Sequence, residues 1–145
     1  MVNCTKEEWL IGLDNGICVR RNEYTESISE LKQFEEDWDK KYGYDFEIAY
    51  FRKCWNIKSM IFCSDIKGIR YNGRSDPLSK DDIDIIINGL RSFNEDNWDE
   101  DGGSIWEWHG EDNYSEYVQR QINNLKMLYH LMEKYDLEVY FYDSY

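Results

Sequence analysis

From Tyr114 to about Tyr135 apolar residues return at steps of three and four: Tyr114, Val118, Ile122, Leu125, Tyr129 and Met132. That period belongs to a long helix with one apolar stripe, and such a stripe must be buried against another element. Asn113 or Ser115 stands where its cap belongs. A second stripe, Ile83, Ile86, Ile87 and Leu90, lies within Ser79 to Phe93. Ser79 caps it, and Asp81, Asp82 and Asp84 fall in its first turns, where the helix dipole favours anions. Three aspartates so close together resemble a metal cluster, but their place at a helix start assigns them to the dipole.

Ser27 to Tyr42 reads as a third helix. Ser27 and Glu30 are spaced for a capping box. Ile28, Leu31, Phe34, Trp38 and Tyr42 are spaced to share a face, and Gly43 is a natural stop. Between the helices the chain alternates. Glu8 to Arg21 predicts a β-hairpin turning at Asp14-Asn15-Gly16, with a short helix from Thr5 as the competing reading. Tyr44 to Phe51 predicts a strand with Tyr44, Phe46, Ile48 and Tyr50 on one side. Trp55 to Ser64 is apolar on both faces and predicts a central strand, and Ile66 to Asn72 is a further candidate. A short strand is expected at Ser104 to His109. The closing LEVYFYDSY sets Leu137, Val139 and Phe141 opposite Glu138, Tyr140 and Tyr142. This order predicts one α+β domain over residues 1–145, a mainly antiparallel sheet with about three helices packed on it.

Charge limits the partners. Thirty acids against seventeen bases give a net charge of −13, while 17% aromatic residues argue against disorder. Direct binding of nucleic acid or of an anionic membrane calls for a basic face, so neither is expected. A basic protein is the natural partner, with solubility as the plainer account of the charge. Met1 to Leu13 is interrupted by Lys6, Glu7 and Glu8 and does not read as a signal peptide, so a cytoplasmic protein is expected. Cys4, Cys18, Cys54 and Cys63 form no CxxC pair, and both histidines lie far downstream. Free thiols are expected, with no zinc site and no cofactor.

The acids are concentrated in NEDNWDEDGGSIWEWHGEDN, Asn94 to Asn113, which contains no Lys or Arg. Asn97, Asp99, Asp101 and Gly102 match the opening of a calcium loop, but its last ligand position holds Trp108 rather than Glu. Glu107 and Glu111 are spaced for acid–base hydrolysis, yet no nucleophile motif accompanies them, and so many carboxylates must be largely solvated. The expectation is therefore no metal and no catalysis. Dense like charge beside tryptophan suits a surface for a cationic macromolecule: the acids steer the encounter and an indole anchors it. The candidate partner-binding residues are Asp96, Trp98, Asp99, Glu100, Asp101, Glu107, His109, Glu111 and Asp112. Trp98 is expected to be exposed, and Trp106 and Trp108 to face the core.

From Ser79 to about Leu131 the chain has a Ser-capped apolar helix ending in Arg91-Ser92, an Asp/Gly loop, the strand SIWEWH and an amphipathic helix. With Glu107-Trp108-His109 following Asp101-Gly102, this run resembles the C-terminal part of immunity proteins of bacterial contact-dependent growth inhibition systems (CdiI-like). The first 75 residues carry no comparable likeness. The resemblance implies a cytoplasmic protein that neutralises one cognate toxin domain, often a nuclease. The expected function is an acidic stoichiometric inhibitor, an immunity protein or antitoxin acting on a cationic toxin. The alternatives are a phage anti-defence protein (an anti-CRISPR or nucleic-acid mimic) and, further off, a calcium-binding or hydrolytic domain.

Overall fold

The computed structural model of the chain describes residues 14–52, 74–92 and 114–144. Strand β1, Asp14–Val19, lies between β2, Phe46–Arg52, and β3, Val139–Ser144, and pairs antiparallel with both. Two helices, α3 (Lys80–Ser92) and α4 (Tyr114–Lys134), pack against each other, and α4 also packs on β2. Shorter pieces join β1 to β2: α1 (Glu23–Glu26), a 3-10 helix (Ser29–Phe34) and α2 (Asp37–Tyr42). The fold class is α+β, as expected. The strands expected at Trp55 to Ser64, Ile66 to Asn72 and Ser104 to His109 lie outside the described residues, as do the first arm of the expected hairpin, Trp106 and Trp108.

The core forms on one face of the sheet. Ile17, Val19, Val139 and Phe141 are fully buried there, and the helices supply Ile83, Ile86, Leu90, Tyr117, Leu125 and Leu128. Burying side chains of this size contributes roughly 1.5–3 kcal/mol each. The stripe expected on α3 is the one observed, Ile83, Ile86, Ile87 and Leu90. Ser79 caps that helix reciprocally: the Asp82 amide donates to Ser79 Oγ at 3.2 Å, and the Ser79 amide donates to Asp82 Oδ2 at 2.8 Å. On α4, Val118, Ile122 and Leu125 are buried as expected and Tyr129 and Met132 are partly so. Tyr117 and Gln121 are buried as well, because they serve the strand beneath them. Tyr117 Oη donates to the Tyr50 carbonyl (2.7 Å), the Tyr50 amide donates to Gln121 Oε1 (3.2 Å), and Asn124 Nδ2 donates to the Ile48 carbonyl (3.1 Å). These side chains satisfy backbone groups that β2 does not use in pairing with β1.

Three expectations are corrected. First, Asp14-Asn15-Gly16 is not a hairpin turn but the start of β1, with Gly16 paired to both Tyr50 and Tyr142. Gly16 is required by space rather than by a turn. A Cβ there would lie 2.6 Å from the Ala49 carbonyl oxygen and 2.7 Å from Cε1 of Tyr142. Second, Ser27 to Tyr42 is not one helix. Glu35 and Glu36 are extended, at φ −94°, ψ 127° and φ −96°, ψ 157°. The first cap is Asn22 with Thr25 rather than Ser27 with Glu30; the Glu30 carboxylate accepts instead from Tyr135 Oη (2.5 Å) and Lys134 Nζ (3.1 Å). Gly43 does end α2, at φ 69°. Third, the alternation in β2 changes phase. Ile17 pairs with Ala49 and Cys18 with Glu47, so Ile48 is an extra residue, a bulge. Beyond it Ala49 and Phe51 face the core, whereas Tyr50 is only partly buried.

Gly16→Ala is expected to destabilise the fold by about 1–3 kcal/mol, since the nearest clash is with a backbone oxygen that cannot rotate away. Urea denaturation followed by tryptophan fluorescence measures it; an unchanged midpoint would contradict the close packing of Tyr142 over this residue.

Candidate docking site

One buried cation organises the surface next to β2. The Arg21 side chain is 8% exposed and its guanidinium lies 4.1 Å from the centroid of the Phe46 ring. Nη1 binds Glu26, Nη2 is 2.7 Å from Glu35 Oε2, and Nε donates to the Tyr44 carbonyl at 2.6 Å. The Arg21 amide donates to Asp45 Oδ1 at 2.9 Å. These contacts hold the extended break at Glu35 and the entry to β2 in one place. Arg21, followed by Lys32, holds the Glu26 carboxyl below the usual carboxylate range.

The break rotates α2 away from the core. Ile28 and Leu31 are buried and Phe34 packs against the core, but Trp38, Tyr42 and Tyr44 are 60%, 52% and 50% exposed. The three rings form a cluster of their own. Trp38 meets Tyr42 edge-on at 5.0 Å, Tyr42 stacks on Tyr44 at 5.7 Å, and Trp38 and Tyr44 are 6.4 Å apart. Lys41 Nζ lies 5.4 Å from the Tyr42 ring. Aromatic side chains that cluster without being buried have the composition of an interface hot spot.

Tyr44 also lines a recess on the sheet face opposite the core. Its volume is about 290 Å³, and Asp39, Asp45, Glu47, Cys18, Arg74, Tyr140 and Tyr142 complete its wall. The outward row of the strands builds it: Cys18 is paired with Glu47 and with Tyr140, and Gly16 with Tyr142. Tyr140 Oη donates to Asp45 Oδ2, and Tyr142 Oη donates to Glu47 Oε2 at 2.5 Å. Burial and these carboxylates push both phenols far above their ordinary value. Burial also raises the Cys18 thiol, helped by the charge of Glu47. Both carboxylates thus accept from phenol hydroxyls. Among the described residues no three His, Cys, Asp or Glu side chains converge as a metal site.

Asp96, Trp98, Asp99, Glu100, Asp101, Glu107, His109, Glu111 and Asp112, the residues singled out in the sequence, all lie outside the described residues. Their segment connects α3 to α4, and its described flanks Ser92 and Ser115 are exposed. His130 is a surface residue on α4, 3.2 Å from Glu133. The aromatic cluster escaped the sequence reading because Trp38 and Tyr42 continue the spacing of Ile28, Leu31 and Phe34. A signal was present in the steps: three, three, then four, four. The first pair suits a 3-10 helix and the second an α-helix, so the two pairs need not share a face.

Two outcomes test this geometry. Arg21→Ala is expected to cost about 3 kcal/mol, the lower range for removing one partner of a buried ion pair, as measured by urea denaturation. Alkaline pH is expected to weaken the fold. The folded protein binds the phenolic protons more tightly than the unfolded chain, so this contribution is complete below the ordinary tyrosine value of about 10 and is lost above it. Denaturation midpoints measured above about pH 10 give the slope, about 1.4 kcal/mol per pH unit for each phenol, and Tyr142→Phe should remove one phenol's share. An unchanged slope in that variant would disprove the Tyr142–Glu47 contact.

Among the described residues no helix is long and apolar enough to cross a membrane. Compared with models of protein families, with curated proteins and with solved structures, the chain finds no match.

Proposed function

We propose that this protein is an acidic stoichiometric inhibitor: a cytoplasmic immunity protein, or antitoxin, that binds and neutralises a cationic toxin domain, with a nuclease as the leading case. The observation that carries this reading is the exposed Trp38–Tyr42–Tyr44 cluster beside Asp39, Asp45 and Glu47. Exposed rings supply area that gains from desolvation, and the neighbouring carboxylates select a basic surface to desolvate them. The net charge of −13 extends the same preference to the whole molecule. Asp96 to Asp101 and Glu107 to Asp112 form the second part of the proposed contact surface, with Trp98 as an anchor. The Ser79 to Leu131 resemblance to contact-dependent growth inhibition immunity proteins supports the same class.

Inhibition of this kind needs no chemistry from the inhibitor. A nuclease that grips phosphate is basic around its active site, and an acidic protein seated there excludes the substrate. Steering by charge brings such partners together at up to about 10⁸–10⁹ M⁻¹s⁻¹ at low salt.

The test is affinity capture from the native host at low salt, release at high salt, and titration of the purified partner's activity, with an end point at one inhibitor per target. Added salt should slow association far more than dissociation. Reversing the charge of Asp99, Glu100 and Asp101 should weaken binding while unfolding stays cooperative. Trp38→Ala should cost at least about 2 kcal/mol of binding and no more than about 0.5 kcal/mol of stability. Association indifferent to salt, or full binding by both variants, would refute the reading.

A further inference from the structure

A buried donor without an acceptor lies beside β2. Gln121 is 1% exposed, and its Oε1 accepts from the Tyr50 amide at 3.2 Å. Its Nε2 is buried and has no hydrogen-bond partner among the described residues. Turning the side-chain amide over does not cure this, because Nε2 would then meet the Tyr50 N–H, donor against donor. Nearby side-chain amides are placed differently. Asn124 Nδ2 donates to the Ile48 carbonyl at 3.1 Å, and Gln119 Nε2 donates to Asn123 Oδ1 at 2.8 Å. Gln121 also lines a recess of about 280 Å³ between β2, α4 and the end of the 3-10 helix, where Phe34, Glu36, Ile48, Tyr50 and Asn124 contribute to the wall.

We propose that this recess is a binding site for a neutral amide, whose carbonyl oxygen accepts a hydrogen bond from Gln121 Nε2. An N–H buried without an acceptor has lost its hydration, so a carbonyl seated there gains more than it would at an exposed amide. The acceptor is a carbonyl rather than a carboxylate because the molecule carries a net charge of −13, which opposes an anion. An amide also brings N–H groups, and Glu36, which lines the same recess, is an acceptor for them. Phe34 and Tyr50 are only partly buried and offer apolar surface to the substituent on the amide. The volume is at the lower end for ligand pockets and suits one amide group with a short substituent. Such a site functions whether or not the protein is an inhibitor.

The experiment uses the full chain, labelled for NMR, and follows the Gln121 Nε2–H signals, assigned through the backbone. Acetamide, N-methylacetamide and sodium acetate are each added at matched ionic strength. At least one of the two amides should shift the Gln121 signals and the Tyr50 amide signal along a saturable curve. The side-chain signals of Gln119, an exposed amide that already has an acceptor, should drift only linearly. Tighter binding of acetamide would identify a primary amide as the ligand, and tighter binding of N-methylacetamide a peptide group. Acetate should bind about fivefold or more weakly, the factor of a close unit-charge repulsion in water. Gln121→Glu keeps an oxygen for the Tyr50 amide but removes the donor. Shown to be folded by a thermal melt, it should bind the amide about fivefold more weakly, the factor of one hydrogen bond, as read at Tyr50. The unsubstituted chain alone decides the matter if that variant does not fold. Gln121 signals that move no more than those of Gln119, acetate binding as tightly as the amides, or undiminished binding by folded Gln121→Glu would each overturn the proposal.

Discussion

The guanidinium of Arg21 is the interaction on which the candidate surface depends. A nearly buried cation needs carboxylates and hydrogen-bond acceptors around it, and Arg21 draws them from three separate stretches: Glu26, Glu35 and the Tyr44 carbonyl. Meeting that need keeps Glu35 near the start of β2 and divides the chain between a 3-10 helix and α2. The rings of α2 then point away from the core, and Asp45, held by the Arg21 amide, points toward Tyr140. A single buried charge thus determines which aromatic residues stabilise the fold and which remain available for contact.

The two faces of the sheet divide the remaining work. One buries Ile17, Val19, Val139 and Phe141 under α3 and α4 and supplies the stabilisation. The other carries Cys18, Glu47, Tyr140 and Tyr142, whose polar groups bond to one another around a recess. Gly16 links the two functions, since its missing Cβ lets the Tyr142 ring lie close over β1 and reach Glu47. The bulge at Ile48 has a similar role. It returns Ala49 and Phe51 to the core after Ile48 while Glu47 stays on the outer face. Helix α4 completes the arrangement by capping the backbone of β2 with Tyr117, Gln121 and Asn124.

An acidic inhibitor with an aromatic anchor is consistent with these features. In the proposed role, the carboxylates beside the rings would give a basic partner charge complementarity, and the exposed rings would give it area that gains from leaving water. The base-free segment between α3 and α4 is the second part of the proposed contact surface.

The sequence by itself determined the elements whose signals are local. The stripe of α3 with its Ser79 cap, the length of α4, the closing strand with Val139 and Phe141 inward, and the stop at Gly43 follow from periodicity and capping chemistry, which neighbouring residues suffice to specify. Only the tertiary structure decided the rest. Asn15-Gly16 carries a turn signature, but two partners distant in sequence recruit it as strand. Trp38 and Tyr42 carry a core spacing, but Arg21 binds Glu26 before the break, Glu35 at it and the Tyr44 carbonyl beyond it, and both rings lie exposed. The recess joins residues from β1, α2, β2, β3 and the segment before α3, which no spacing along the chain connects. Such features depend on which surfaces meet after folding, and a linear pattern does not encode them residue by residue.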